Sequence, residues 1–279
     1  MERIMLAINA VEMKEHPIGF ACDLARLTNS ELTGIFLENL VEDEQLTVRN
    51  AYEGTYIGLE VDRESPEFLA KKKIIDDNIA RFSLICNTRG ARSCVFRDER
   101  SPVSEAIRES RFADLLIADA DTAFSKLQKS TPSAFVKRIL RATACPVIVV
   151  PENVQPVQEI IFAYDGTASS MFAVRQFTYL FPELSSIKLI VLNASEREEA
   201  EIMLPPQLEE WLRAHYTSFV FEELHGKRLE ILMDFLASRK NAILVMGSYG
   251  RSRVSRLINK SAADVLMSKT FLPLFIAHY

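Results

Sequence analysis

The chain alternates short apolar runs with longer stretches in which apolar residues recur every three or four positions. Such runs predict strands buried on both faces of a parallel sheet, and the longer spacing predicts amphipathic helices. The predicted strands of the N-terminal half are residues 3–9, 32–38, 93–96, 115–118 and 146–150. The predicted helices of this half are residues 18–28, residues 66–86, a helix with Ser101 as N-cap and Pro102 at its first position, and a helix through Phe135, Ile139 and Leu140.

A polar segment, residues 41–64, separates the second predicted strand from the long helix. It carries Gly54 and Gly58 and no continuous apolar run. We expect a long loop in this region.

The same order of elements begins again after the polar linker PENVQP, residues 151–156. The second set of predicted elements comprises strands at residues 159–164, 187–193, 218–222, 242–246 and 273–277, helices at residues 207–216 and 228–240, and a helix through Phe172, Gln176 and Leu180 with Ser169 as its N-cap. The segments RIMLAINA, DLLIADA and CPVIVVP of the first half match EIIFAYDG, AILVMGS and LPLFIAH of the second. We therefore expect two tandem copies of one unit, residues 1–151 and residues 157–279.

Strands that alternate with helices predict an α/β fold of two tandem doubly wound domains, each a five-stranded parallel sheet flanked by helices. Ligands of such sheets bind in the crevice beyond the carboxyl ends of the strands. Asp165 and Gly247 both lie at predicted strand ends. We expect these two residues to share one crevice.

The segment after the strand at residues 242–246 has the character of a phosphate-binding loop. Gly247 and Gly250 allow a tight turn in which backbone N–H groups approach a ligand, and a basic helix follows. Its four cations are Arg251, Arg253, Arg256 and Lys260. The alternative is that the glycines only turn a strand into a helix and that the cations coat a solvated face.

Composition narrows the class of protein. The 279 residues are 48% hydrophobic and 25% charged, with a formal net charge of -5, which is typical of a globular protein of one or two domains. The acidic balance argues against nucleic acid or an anionic membrane as a partner. Because no segment has the pattern of a signal peptide or a membrane helix, we expect a cytoplasmic protein.

Cys22, Cys86, Cys94 and Cys145 are widely spaced, so we expect four buried, reduced cysteines.

A strand that ends in Asp-Gly-Thr, the repeat, and the late Gly-x2-Gly loop together resemble the universal stress protein family over nearly the whole chain. The resemblance implies two copies packed as an intramolecular pseudo-dimer, which resembles a homodimer fused into one chain. It also implies a bound adenine nucleotide such as ATP, with Mg²⁺ accompanying it. The implied nucleotide-binding residues are Asp165 toward the adenosine, Leu192 beside the base, Met246, Gly247 and Gly250 along the ribose and phosphates, and Ser261 with Ala262 at the end of the phosphate loop.

Two departures from the family pattern bear on this site. Lys260 stands where the family's ATP binders carry a third glycine, so its side chain either crowds the phosphates or neutralises them. In the first half, Asn9 stands in place of Asp, and Ala118-Asp119-Ala120-Asp121 stands in place of the glycines. Two carboxylates would repel phosphate, so we expect that the first half has lost its nucleotide site. The alternative is that the paired acids bind a cation.

The resemblance favours a nucleotide-binding regulator of the stress response, with its site in the C-terminal half and no catalytic residues or resident metal. The alternative is a nucleotide-free scaffold of the same fold that acts through dimerisation and an unidentified protein partner. A nucleotide-dependent enzyme would require a general base or a metal-binding carboxylate near the phosphates, and Asp165 is the one candidate. We therefore expect weak ATP hydrolysis at most.

Overall fold

The computed structural model describes residues 1–39, 44–51, 54–98, 101–124, 130–195, 204–247 and 262–277. The elements of the first half are β1 (Arg3–Asn9), α1 (His16–Leu27), β2 (Glu31–Leu37), β3 (Glu44–Ala51), β4 (Gly54–Val61), α2 (Pro66–Thr88), β5 (Ser93–Asp98), α3 (Pro102–Glu109), β6 (Leu115–Asp119), α4 (Ala134–Ala142) and β7 (Val147–Val150). Those of the second half are β8 (Glu159–Ala163), α5 (Ala168–Leu180), β9 (Lys188–Ser195), α6 (Pro206–His215), β10 (Phe219–His225), α7 (Arg228–Ala237), β11 (Ala242–Gly247), α8 (Ala262–Lys269) and β12 (Leu274–Ala277). Short 3₁₀ helices occur at Ser110–Phe112 and Pro182–Leu184.

One sheet of ten strands runs through the whole molecule in the order β10-β9-β8-β11-β12-β7-β6-β1-β2-β5. Within each half the five strands are parallel, as the alternation of strands and helices predicts. The halves join through β12 and β7, which pair antiparallel. The α/β fold of two tandem five-stranded units, packed as a pseudo-dimer, is confirmed.

The strand register shows that the two halves repeat the same arrangement. Ala7 pairs with Ile35 on one side and Ala118 on the other, and Ala163 pairs with Leu192 and Met246 in the same way. These pairs follow the sequence matches between the halves. The register therefore defines equivalent positions in the two halves.

Helices cover both faces of the sheet, and each face has its own hydrophobic core. One core combines buried side chains from α1, α2, α5 and α6 with alternate strand residues. The other combines buried side chains from α3, α4, α7 and α8 with the remaining strand residues. Because side chains alternate along a strand, neighbouring residues of one strand belong to different cores.

Three expectations from the sequence were wrong. Residues 41–64 contain the antiparallel hairpin of β3 and β4 rather than only a loop. Cys94 is exposed because it lies on β5, an edge strand, whereas Cys22, Cys86 and Cys145 are buried. None of the four cysteines forms a disulfide bond. The N-cap of α5 is Thr167 and not Ser169, because the Thr167 side chain accepts a hydrogen bond from the Ser170 N–H.

None of the helices in the described part of the chain combines the length and the apolar character that a membrane span requires.

Candidate functional site

The candidate site lies where β8, β9 and β11 end side by side in the second half. Ala163, near this edge, pairs with Leu192 on one side and Met246 on the other. Asp165 follows Ala163 by two residues, and Gly247 follows Met246 directly. The structure therefore brings four of the residues named from the sequence to one edge of the sheet.

The remaining residues named from the sequence belong to the segment after β11. Ala262 is the first residue of α8. Gly250, Lys260 and Ser261 lie outside the described residues. The two alternatives for Lys260 therefore stay predictions.

Asp165 forms a tight turn at the end of β8. Its Oδ1 accepts hydrogen bonds from the Thr167 N–H at 3.1 Å and from the Thr167 hydroxyl at 2.7 Å. Gly166, between them, has a φ of +79°, a conformation that glycine adopts without strain. The threonine oxygen in turn caps α5, because it accepts from the Ser170 N–H at 3.2 Å. The turn thus fixes the carboxylate at the mouth of the crevice and starts the helix.

The Asp165 carboxylate is exposed and negatively charged. Partial desolvation acts to raise its pKa, but hydrogen bonds from Thr167 and Ser170 and the positive charge of Arg228 outweigh it and lower the pKa. A charged carboxylate accepts hydrogen bonds from hydroxyl groups and repels phosphate. It therefore suits the hydroxyl groups of a ligand rather than phosphate groups.

Gly247, the last residue of β11, is in close contact with the first turn of α5. A Cβ at this position would lie 2.6 Å from the backbone C and O atoms of Ser169 and from its Oγ. Only glycine lets the end of β11 and the N-terminal turn of α5 approach this closely. The crevice is thus bordered by the positive end of a helix dipole.

Leu192 and Asn193, neighbours on β9, face opposite sides of the sheet. Leu192 is 2% exposed and lies in the core formed with α7. Asn193 is 3% exposed, and its Nδ2 donates to the Tyr164 carbonyl at 2.9 Å. Its Oδ1 is the one buried side-chain N or O atom without a hydrogen-bond partner in the described part of the chain.

Asn193 is not among the site residues predicted from the sequence. The signal was a single asparagine at the end of the apolar run KLIVLNAS, where a buried strand residue is normally apolar. Such a residue points to a polar contact that the strand itself does not need.

In the equivalent crevice of the first half, a polar side chain at the strand end also accepts hydrogen bonds from the backbone that follows. Asn9, the counterpart of Asp165, accepts from the N–H groups of Val11 and Glu12, both at 3.0 Å. Its Nδ2 also donates to the Ala123 carbonyl at 2.7 Å, which ties the strand end to the segment after β6. Both polar atoms of the Asn9 side chain are therefore hydrogen-bonded to the protein's own backbone.

Asp119 occupies the position equivalent to Gly247. Its carboxylate is 4% exposed and accepts from Lys14 Nζ and from His16 Nε2, each at 2.8 Å. Desolvation acts to raise the pKa of Asp119, but hydrogen bonds from His16 and Lys14 and their charges outweigh it and lower the pKa. Lys14 also lies 3.8 Å from the Asp121 carboxylate.

These side chains leave little space in the first crevice. A cavity of about 30 Å³ remains beside Asn9, Lys14 and Asp119, roughly the volume of one or two water molecules. Among the described residues, no group of three or more His, Cys, Asp and Glu side chains is arranged to bind a metal ion. In this crevice the carboxylates therefore face the protein's own cations.

Comparisons with known proteins agree with the fold. The chain matches no protein-family model. It is 25% identical to a universal stress protein of Synechocystis sp. over 162 residues, which is 57% of this chain and 56% of that relative. The matched segment thus spans just over half the length of the curated relative.

Solved structures match either nearly the whole chain or about half of it. A universal stress protein from Archaeoglobus fulgidus aligns with a TM-score of 0.71 and 16% identity over 99% of this chain and 98% of its own. A shorter universal stress protein from that organism, solved in complex with dAMP, covers 53% of this chain and 94% of its own, with a TM-score of 0.34 and 11% identity. The resemblance predicted from the sequence is confirmed.

Proposed function

We propose that this chain, a tandem relative of the universal stress proteins in sequence and in fold, binds one adenine nucleotide in the crevice of its second half. The observation that carries the proposal is the contrast between equivalent positions. In the second half an exposed Asp165 lies near a buried amide oxygen without a partner. In the first half the side chain of Asn9, the counterpart of Asp165, is hydrogen-bonded to the backbone through both polar atoms, and Phe36 stands at the position of the buried amide.

The crevice residues take separate parts of the nucleotide. Asp165 accepts hydrogen bonds from the ribose hydroxyls, for which its lowered pKa keeps it charged. The phosphates lie away from this carboxylate, toward Gly247 and Ala262, the residues that flank the segment with Gly250, Lys260 and Ser261 in the sequence. Mg²⁺ enters with the phosphates of ATP or ADP and is not a resident of the protein.

Binding without efficient turnover fits a regulator of the stress response better than an enzyme. Asp165 is committed to the Thr167 turn and to the sugar, so it is poorly placed to act as a general base at the phosphates. We place the protein in the cytoplasm, where nucleotide occupancy alters its surface for a protein partner. The fused halves serve in place of a homodimer.

Thermal unfolding with ATP, ADP and AMP, with and without Mg²⁺, tests the proposal. A nucleotide at 100 times its dissociation constant adds about 2.7 kcal/mol to the free energy of unfolding. Asp165→Ala should weaken binding at least about ten-fold, equivalent to about 1.4 kcal/mol. Asn9→Ala, at the equivalent strand end of the first half, is the matched control and should bind normally.

One observation favours a scaffold as the second candidate. The Lys14, His16 and Asp119 cluster occupies much of the first crevice, which supports a unit of this fold that needs no bound nucleotide. If millimolar nucleotide leaves the melting temperature of the wild-type protein unchanged, the nucleotide proposal fails. The scaffold, acting through its surfaces and a protein partner, then stands in its place.

A further inference from the structure

Asn193 has an amide oxygen that the described part of the protein leaves without a hydrogen bond. The residue lies two positions before the end of β9 and is 3% exposed. Its Nδ2 donates to the Tyr164 carbonyl at 2.9 Å, while Oδ1 has no partner. A buried polar atom without a partner costs stability, so its presence calls for an explanation.

The orientation of this amide is fixed by its neighbour. A backbone carbonyl only accepts hydrogen bonds, so the donating Nδ2 must face the Tyr164 oxygen. Exchanging the two atoms would place two acceptors against each other. The Oδ1 atom therefore points away from the Tyr164 carbonyl, and it accepts no hydrogen bond from the described part of the protein.

The fold does not require an amide at this position. The strand registers make Phe36 of β2 the counterpart of Asn193, because Ile35 and Leu192, the preceding residues, pair with the equivalent alanines Ala7 and Ala163. Phe36 is fully buried and packs edge-to-face on Phe82, with ring centroids 5.6 Å apart. An aromatic ring fills this position well in the first half, so the asparagine in the second half serves another purpose.

Asn193 is close to the group that takes the sugar in the proposed function. Tyr164, whose carbonyl it contacts, directly precedes Asp165 in the chain. β8 and β9 are adjacent strands, so their ends lie roughly 4.8 Å apart. A nucleotide with its ribose on Asp165 therefore lies beside the end of β9, which carries Asn193.

We propose that Asn193 selects the base: its Oδ1 accepts a hydrogen bond from the exocyclic amino group of adenine. The inference rests on the proposed nucleotide site and adds a specificity-determining residue to it. Hypoxanthine presents a carbonyl oxygen at the same ring position, so two acceptors would meet. Unsubstituted purine presents only a C–H group there, and the Oδ1 atom would stay unpaired.

Three nucleotides that differ at this one ring position test the proposal by calorimetry. AMP carries the amino group, purine riboside 5′-monophosphate lacks it, and IMP replaces it with oxygen. The wild-type protein should bind AMP at least about ten-fold more tightly than either analogue, because a site built to donate or accept a hydrogen bond rejects a ligand that leaves it unpaired.

Substitution of Asn193 provides a second test of the proposal. Asn193→Leu has a similar volume without the acceptor, so it should bind AMP and purine riboside 5′-monophosphate with equal affinity. Asn9→Ala, which alters the fully paired amide of the first half, is the control and should keep the wild-type preference for AMP.

The outcomes separate this inference from the function on which it rests. If the wild-type protein binds none of the three nucleotides, the nucleotide site itself is overturned, and base selection with it. If it binds AMP and the analogue without the amino group equally, the site stands and the role of Asn193 is overturned, since a bound water then satisfies Oδ1. Retention of the preference by Asn193→Leu also overturns that role.

Discussion

Asp119 and Gly247 occupy the same position in the two halves of the sheet. Each is the last residue of its strand, and each pairs with the last residue of the neighbouring strand, Val150 for Asp119 and Ala277 for Gly247. A buried carboxylate thus stands in one half where the other half has no side chain.

The connection to the following helix explains how both residues are accommodated. Six residues separate Asn9 from α1 in the first half, but only Gly166 and Thr167 separate Asp165 from α5 in the second. The longer connection supplies Lys14, and α1 begins with His16, so both reach Asp119. The shorter one brings Ser169 against Gly247, where only glycine fits.

Gly247→Ala should therefore destabilise the protein. The added Cβ would lie 2.6 Å from backbone atoms of Ser169, and overpacking of this kind typically costs about 1–3 kcal/mol. Urea unfolding measures the loss. Gly19→Ala is the matched control, since its Cβ would meet only the end of the Arg89 side chain at 3.0 Å, and we expect little or no loss. Equal effects at the two glycines would argue against the close contact.

The Asp119 cluster should make stability depend on acid pH. Because the folded-state pKa of Asp119 is lowered, its contribution is complete above the unfolded value near 3.8 and disappears as the pH falls through the folded value. Asp119→Asn should cost on the order of 1–3 kcal/mol at pH 7. Its deficit relative to the wild-type protein should shrink as the pH falls below about 4.

Asp121→Asn provides the comparison for this measurement. Asp121 is 46% exposed and lies 3.8 Å from Lys14, so its loss should cost less than about 1 kcal/mol. Urea unfolding from pH 7 to pH 3 measures both variants. A deficit of Asp119→Asn that stays constant over this range would show that the charge of Asp119 contributes nothing.

β12, the strand that joins the second half to the first, packs on α5 through aromatic side chains. Phe275 of β12 lies opposite Ile148 of β7, is fully buried, and contacts the Phe177 ring with centroids 5.2 Å apart. Phe275→Ala should cost about 3–5 kcal/mol. Phe271→Ala removes the same side chain four residues earlier, where it is 64% exposed, and should change stability by less than about 0.5 kcal/mol. Similar losses for both would contradict a packed junction.

Much of the fold could be predicted from the sequence, because buried parallel strands are continuous apolar runs. β1 and β11 were predicted to within one residue of their ends. β10 was predicted to be shorter than it is, because an edge strand tolerates charged residues such as Glu222 and Glu223. The β3–β4 hairpin was missed because its alternating pattern, with Leu46 and Val48 between polar residues, lacks a continuous apolar run.

The candidate site was harder to predict from the sequence, because the face of the sheet on which a strand residue lies depends on the strand register. The resemblance placed Leu192 beside the base, but its side chain lies in the core, and the next residue, Asn193, faces the other side of the sheet. The ion pairs of Asp119 with Lys14 and His16 were also missed, since their partners lie more than 100 residues apart in sequence. Sequence spacing carries no information about contacts of that range.

Calorimetric titration of the intact chain with AMP tests the central claim most directly, because it counts sites. The account predicts one nucleotide per chain, with binding weakened at least about ten-fold in Asp165→Ala and unchanged in Asn9→Ala. Two nucleotides per chain would show that the first crevice is open despite its Lys14–Asp119 ion pair. Binding that survives in Asp165→Ala, or no heat of binding at millimolar AMP, would contradict a nucleotide site in the second half.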